Sequence, residues 1–281
     1  MSDILFRRVT IIGVGLIGGS IGMCLRQKKL TERVVGITRR KNGIEKLIES
    51  KAVDEATDDL AEGIARSELV IVATPVGAIV EQVKSLVPLV KPGTIIMDVG
   101  SSKAEVVNTV EKILPRGIYF VGTHPLAGSQ KSGVQHARAD LFEKTVCVLT
   151  TTPKTHPTAF RKIREFWRSL GCEVKIVSPL DHDLILARTS HVPHIITMAL
   201  VGLLESGDES FVASGFRDTT RIAGSDPQIW RDILLTNKKP ILKALRGFNA
   251  QLDRFIEFIE KKDEEKLVQE LEKLQSKRAK L

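Results

Sequence analysis

His124 lies in GTHPLAGSQKSG, at the end of the apolar run IYFVGTHP and ahead of two glycines. Imidazole is the side chain whose proton affinity sits nearest neutral pH, so a histidine where a strand gives way to a loop is a candidate general base. A second loop, DVGSSK, places Ser101, Ser102 and Lys103 directly after another strand-like run. A serine hydroxyl there can hold a substrate hydroxyl in line. A third group comes later: His191 and His194 in TSHVPH, then Arg217, Asp218, Arg221 and Trp230 in GFRDTTRIAGSDPQIWRDI. Guanidinium forks match carboxylates, so an anionic substrate is the natural ligand for such a set. The histidine pair, at i and i+3, could equally be a satisfied core pair, and Trp230 could be packing rather than ligand wall. A metal site from HxPH needs a third ligand, and none is near, so no metal is expected. Asp181, His182 and Asp183 read as the acidic first turn of a helix, serving as capping rather than catalysis.

Another chemistry is written at the N-terminus. Gly13, Gly15 and Gly18 in GVGLIGGS follow directly on VTII and open a helix. The first glycine permits a tight turn, the second lets the backbone approach a pyrophosphate, and the third allows close helix-to-strand packing. The first-turn amides, those of Leu16 and Ile17 among them, add a partial positive charge for the phosphates. Thr74 and Pro75, ending the run LVIVATP, are further candidate cofactor contacts. In an NAD site the second strand ends about 20 residues on in an acid that binds the ribose 2′-hydroxyl. Here VVGI is followed by Thr38, Arg39 and Arg40. A small hydroxyl and two guanidiniums would hold a 2′-phosphate that a carboxylate would repel, so NADP is the expected cofactor, with NAD possible. The alternative is that both arginines simply point into water.

The elements that must position these residues can be read from the punctuation. RRVTIIG, RVVGI, LVIVATP, GTIIMDVG, IYFVGTHP, TVCVLT and CEVKIV are apolar at nearly every position, as suits strands of a sheet covered on both faces. Helix-length stretches lie between them, such as 16–27, 78–89 and 103–114. The expected fold is an α/β Rossmann domain, doubly wound and mostly parallel, over residues 1–178. From Ser178 onward the pattern is helical only, with a Ser-Pro start, an apolar helix from Pro179 to Glu205, and further helices near 226–237, 240–261 and 263–279. Residues 179–281 are thus expected to form an all-α domain for substrate binding and dimerisation. No flexible linker separates the two, so a cleft at their junction is the default ligand site.

Composition limits the function classes. The 281 residues carry a net charge of +8, but only 5% are aromatic and no basic run is interleaved with stacking rings, which gives nucleic-acid binding little support. The basic excess suits anionic ligands or solubility. No stretch reads as a signal peptide or as roughly 20 apolar residues in a row, so a cytoplasmic protein without a membrane segment is expected. Cys24, Cys147 and Cys172 are far apart with no CxxC pair, and buried free thiols are expected. The charged final segment reads as a solvated surface helix or as one docked on a partner subunit.

Taken together, the GxGxxG loop, GSxK, HPxAGxxxSG, HxPH and FxDxTRIAxSDPxxWRD resemble the prephenate and arogenate dehydrogenases of tyrosine biosynthesis, over nearly the whole chain. That resemblance implies oxidative decarboxylation of a cyclohexadienol with hydride transfer to a nicotinamide: prephenate to 4-hydroxyphenylpyruvate, or arogenate to tyrosine. It implies that His124 accepts the C4 hydroxyl proton and that Ser101 orients the hydroxyl. Arg221 would take a substrate carboxylate, His194 the carboxylate or side chain, and Trp230 would wall the cleft. Gln130, also expected at the substrate, stands where some relatives carry a glutamate, so gating by an acid there would be absent. Asp218 would face arogenate's amine or pair with Arg217 or Arg221. The family also implies a homodimer through the helical domain. No further strands are present from which a regulatory ACT domain could be built, so feedback by tyrosine would act at or near the active site. The rival readings are a β-hydroxyacid dehydrogenase or pyrroline-carboxylate reductase of similar architecture, and a binding protein that only senses the nucleotide.

Overall fold

The structure is a computed structural model that describes residues 4–38, 42–128 and 131–280. Eight strands form one sheet: β1 (Phe6–Ile12), β2 (Thr31–Ile37), β3 (Glu55–Thr57), β4 (Leu69–Val72), β5 (Ile95–Asp98), β6 (Tyr119–Pro125), β7 (Val146–Thr150) and β8 (Glu173–Val177). They lie in the order β3-β2-β1-β4-β5-β6-β7-β8. Neighbours are parallel except β6 and β7, which pair antiparallel with His124 opposite Val148. The first six strands therefore follow the doubly wound order, with the reversal between β1 and β4. Seven of the eight match the apolar runs of the sequence. β3 escapes that reading because three residues, Glu-Ala-Thr, hold no apolar run; the strand exists only through its pairing with β2 at the sheet edge.

Twelve α-helices complete the described residues. Six accompany the sheet: α1 (Leu16–Gln27), α2 (Asn42–Glu49), α3 (Leu60–Ile64), α4 (Ile79–Leu86), α5 (Ala104–Ile113) and α6 (Pro157–Leu170). The rest follow β8: α7 (Pro179–Leu186), α8 (Val192–Val201), α9 (Ser214–Thr220), α10 (Pro227–Thr236), α11 (Lys238–Glu260) and α12 (Glu264–Arg278). β4 and β5 are buried at every position, because helices cover both faces of the sheet. One face packs α1 and α6 through Ile21, Leu25, Ile163, Phe166 and Trp167. The other packs α4 and α5 through Ile79, Val83, Val106 and Val110, and the same cluster takes in Trp230 and Ile233 of α10. The helical part is thus joined to the sheet layer by a shared core.

Two polar devices fix the strand ends nearest that junction. Asp98 closes β5 with its carboxylate fully buried on the Lys103 ammonium, and it also accepts the Gly100 amide at 2.9 Å. Removing either partner of such a pair would strand a charge in the core, so the turn from Asp98 to Lys103, which carries Ser101, has one stable shape. The N-terminus of α5 has no cap on its own side chains. Asp183 of α7 supplies it, accepting the amides of Lys103 at 2.7 Å and Ala104 at 2.9 Å.

The chain from Pro179 to Val201 is helical throughout but widens into a π-turn over Ala187–His191. Against the sequence expectation, this stretch is long and apolar enough to cross a bilayer, with a mean hydropathy of 1.3 over its best window. It nevertheless carries the buried polar residues His182, Asp183 and His191, which are committed to contacts with His124 of β6, the start of α5 and Asn237 ahead of α11. Only 28% of that window is buried within the protomer, and Leu180, Ile185 and Val201 are exposed.

Candidate active site

Strand order brings the polar loops together. The ends of β1, β4, β5 and β6 are adjacent, so Gly13, Thr74, Ser101 and His124 occupy one edge of the sheet. The helical part covers that edge, and a cavity of about 630 Å³ lies at the junction. Ser101, His124, Lys131, His194, Arg221 and Trp230 all line it. Each arrives for a local reason. Pro227 starts α10 behind the Asp226 cap, which turns Trp230 inward to 7% exposure. The His194 ring stacks on Trp230 at 3.6 Å between centroids, and its Nδ1 faces the Ser190 carbonyl at 3.1 Å. Burial lowers the His194 pKa, and the Arg221 charge lowers it further.

His191 points the other way. It is 1% exposed, with Nδ1 2.9 Å from the Asn237 amide nitrogen, and burial holds its pKa down to about 4. Of the two histidines in HxPH, one is therefore core and one is cleft.

The structure does not bring Asp218 to the cavity of its own protomer. α9 ends at Thr220 and the chain tightens into a 3₁₀ turn, Arg221–Gly224, which turns Arg221 and Ile222 to the cleft and leaves Asp218 exposed on the helix. Gln130 lies outside the described residues. The reading of Asp181, His182 and Asp183 as one capping turn also needs correction. Asp181 does belong to its own cap, with its amide on Ser178 Oγ at 3.0 Å. His182 and Asp183 are buried on the opposite side of α7, however. His182 Nδ1 is 2.8 Å from Asp183 Oδ1, and His182 Nε2 is 2.8 Å from His124 Nδ1. A short helix repeats every 3.6 residues, so consecutive polar residues at its start need not share a fate. The composition of DHD held no signal of this; only the packing of α7 on α5 reveals it.

His124 itself is half-buried in the cleft wall. Burial drives its pKa well below the ordinary histidine value, and the neighbouring His182, Lys103 and His191 push in the same direction. It is therefore neutral at physiological pH, as a base must be.

A second cavity, of about 520 Å³, is lined by Gly13, Gly15, Thr38, Thr74 and Pro75 together with Asp58 and Gln82. The residues fit a dinucleotide. Gly13 has φ +90°, and a side chain there would meet the Ala73 carbonyl at 2.6 Å; one on Gly18 would meet the Gly13 carbonyl at 2.4 Å. Nothing lies within 4 Å of the position a Gly15 side chain would take, which is where a pyrophosphate needs open backbone. Thr74 Oγ1 is shielded from solvent and has no hydrogen-bond partner among the described residues, a polar group that a ligand would satisfy. Leu16 and Ile17 open α1 with side chains packed on the core, so only their amides can serve a ligand. Arg39 and Arg40 lie outside the described residues.

Sequence comparison decides among the readings of this architecture. The family model for the prephenate dehydrogenase nucleotide-binding domain matches residues 21–176, and that for the prephenate dehydrogenase dimerization domain matches residues 178–273. The chain belongs to the prephenate dehydrogenase family. It is 34% identical to the prephenate dehydrogenase of Bacillus subtilis over 92% of this chain and 72% of that one. It is 31% identical to the cyclohexadienyl dehydrogenase of Zymomonas mobilis over 97% and 95%. Among solved structures, the prephenate dehydrogenase from A. aeolicus in complex with hydroxyphenyl propionate and NAD+ superposes with a TM-score of 0.92 at 33% identity, covering 98% of each chain. The family makes the chain a nicotinamide-dinucleotide-dependent dehydrogenase, and the cavity lined by Gly13, Gly15 and Thr74 has a lining that fits such a cofactor.

The buried histidines carry a consequence for stability. His124, His182 and His191 all have folded pKa values below the unfolded value near 6.5, with burial the largest cause. Stability is therefore fully present above about pH 6.5 and is lost as pH falls toward 4, because the unfolded chain takes up protons the folded one excludes. For His191 alone the loss reaches on the order of 3 kcal/mol. Thermal melts between about pH 7.5 and pH 4.5 should show a steady fall in Tm, smaller in His191→Gln. A flat profile would mean these rings are not held neutral.

Proposed function

We propose that the protein converts prephenate to 4-hydroxyphenylpyruvate, with His124 as general base. The single observation that carries the reading is the placement of a neutral His124 in a cleft whose other polar walls are Ser101, His194, Arg221 and Lys131. Prephenate has a C4 hydroxyl and two carboxylates. His124 takes the hydroxyl proton while Ser101 hydrogen-bonds the same oxygen and holds it in line. The bound dinucleotide supplies the acceptor for the C4 hydride. The ring carboxylate then leaves as carbon dioxide, its bonding electrons aromatise the ring, and His124 returns the proton to the phenolate oxygen. The protein's share is positioning and charge management.

Charge favours the keto acid over arogenate. The cleft is lined by two cations, Lys131 and Arg221, matching two carboxylates. Its one lining acid among the described residues, Asp226, is engaged at the start of α10, where it accepts the amides of Gln228 and Ile229. Asp218, the acid that could have faced an ammonium, lies off the cleft.

For the cofactor we favour NADP, on the Thr38, Arg39 and Arg40 that follow β2. NAD is a second reading with an observation of its own: Asp58, at the end of β3, lines the dinucleotide cavity and could hold a ribose hydroxyl. We also place the domain division at Ser178, between β8 and α7, and a homodimer on the helical part. That part exposes Leu203, Phe211, Leu235, Ile256 and Ile259 in the protomer, apolar surface that a second copy would cover.

Three measurements test these readings. Steady-state assay of prephenate or arogenate against NADP or NAD should give the highest kcat/KM for prephenate, and His124→Asn should lower kcat by roughly 100-fold or more with cofactor affinity retained. Preference for arogenate, or undiminished turnover in that variant, would defeat the assignment. Arg39→Ala combined with Arg40→Ala should raise KM for NADP and spare NAD; equal loss for both would show that the arginines do not read the 2′-phosphate. Sedimentation velocity at micromolar concentration should show a dimer, and a single monomeric species would remove it.

A further inference from the structure

His182 and Asp183 belong to none of the steps above, yet they are buried at 0% and 1% exposure directly behind His124. We propose that they are positioning residues that fix the tautomer of His124, with its proton on Nδ1 and the lone pair of Nε2 turned to the cleft; the proposal rests on reading His124 as the base.

The assignment follows from donors and acceptors taken in order. Asp183 accepts the Lys103 amide on Oδ1 and the Ala104 amide on Oδ2, at the N-terminus of α5. With a backbone amide donating to each oxygen at the positive end of a helix, that carboxylate serves as an acceptor. The ring nitrogen 2.8 Å from its Oδ1, His182 Nδ1, must then carry a proton and donate it. In a neutral imidazole the other nitrogen has no proton, so His182 Nε2 accepts. Its partner at 2.8 Å is His124 Nδ1, which must donate. His124 Nε2 is left with its lone pair. Asn237 holds the chain in place from behind, donating to the Asp183 carbonyl at 3.0 Å.

The reverse arrangement is disfavoured on balance, although Asp183 and Asp98 act in its favour. It would need a second proton on His182, placing a cation beside the buried Lys103 ammonium, and both burial and Lys103 lower the His182 pKa. The same chain also serves the moment after proton transfer. The His124 imidazolium keeps its Nδ1 hydrogen bond to a ring that is itself polarised by a carboxylate, which stabilises the transient charge without moving a second proton. One residue thus sets the helix that follows Ser101 and, through His182, the state of the base.

The test is nitrogen NMR of the full chain labelled with [15N]histidine at about pH 7.5, with His124→Asn and His182→Leu used to assign the signals. The expected result is a protonated Nδ1 and an unprotonated Nε2 on both His124 and His182. A His124 ring protonated on Nε2 in the wild type would overturn the proposal whatever the activity. In kinetics, His182→Leu should lower kcat by at least about tenfold with KM for prephenate within about twofold, since only the base is disturbed. His182→Gln, whose side-chain oxygen reaches toward the lost Nε2, should recover part of that loss. Unchanged kcat in a folded His182→Leu, or a lowered kcat with the His124 Nδ1 proton retained, would also overturn it. If His182→Leu does not fold, the wild-type spectrum decides alone. Absence of prephenate turnover in the wild type would instead defeat the catalytic reading, with the tautomer still measured.

Discussion

The carboxylate of Asp183 is the interaction on which the rest of this structure hangs. It caps α5 from another helix, some eighty residues on in the chain, and so ties the all-helical part to the strand end that carries Ser101. It also holds His182, which touches His124. A carboxylate buried this way needs hydrogen-bond donors, and here two amides and an imidazole supply them. The Asp98–Lys103 pair performs a matching task from the sheet side, fixing the turn between β5 and α5. The cleft is therefore bounded by two buried, hydrogen-bonded polar clusters that fix the backbone and rings around it.

The distribution of charge across the cleft follows from that arrangement. Lys103 is buried and paired, so its charge acts on His124 as a field that disfavours protonation. Lys131 and Arg221 line the cavity and add positive charge to its wall. Cations of both kinds thus lie near His124, and on the proposed reading they do opposite work: Lys103 disfavours its protonation and the other two attract an anion. Trp230 and His194 form a stacked wall of the same cavity.

Much of this was legible in the sequence. Strands buried on both faces announce themselves by continuous apolar runs, and the glycine loop gains meaning from the strand before it and the helix after it; both readings describe what the structure holds except at β8, an edge strand with no fully buried residue. Ser101, His124, His194, Arg221 and Trp230 were chosen by residue type and motif, and all five line one cavity. What was not legible depends on contacts between distant elements. β3 has no apolar run of its own. Asp218 looked suited to the substrate because it is three residues from Arg221, but the helix ends between them. His182 and Asp183 looked like local capping because their partners, the amides of Lys103 and Ala104 and the ring of His124, are far away in the chain. The π-turn at Ala187–His191 has no compositional mark, yet it lies between those two residues and His194.

The central claim is that the cleft couples hydride removal from a cyclohexadienol to loss of its ring carboxylate. The most direct measurement is the stoichiometry of the wild-type reaction with prephenate, counting reduced nicotinamide and released carbon dioxide in the same vessel. The account predicts one of each per molecule of 4-hydroxyphenylpyruvate formed, with no lag between them. Reduced nicotinamide without matching carbon dioxide, or carbon dioxide released with no cofactor reduced, would contradict it.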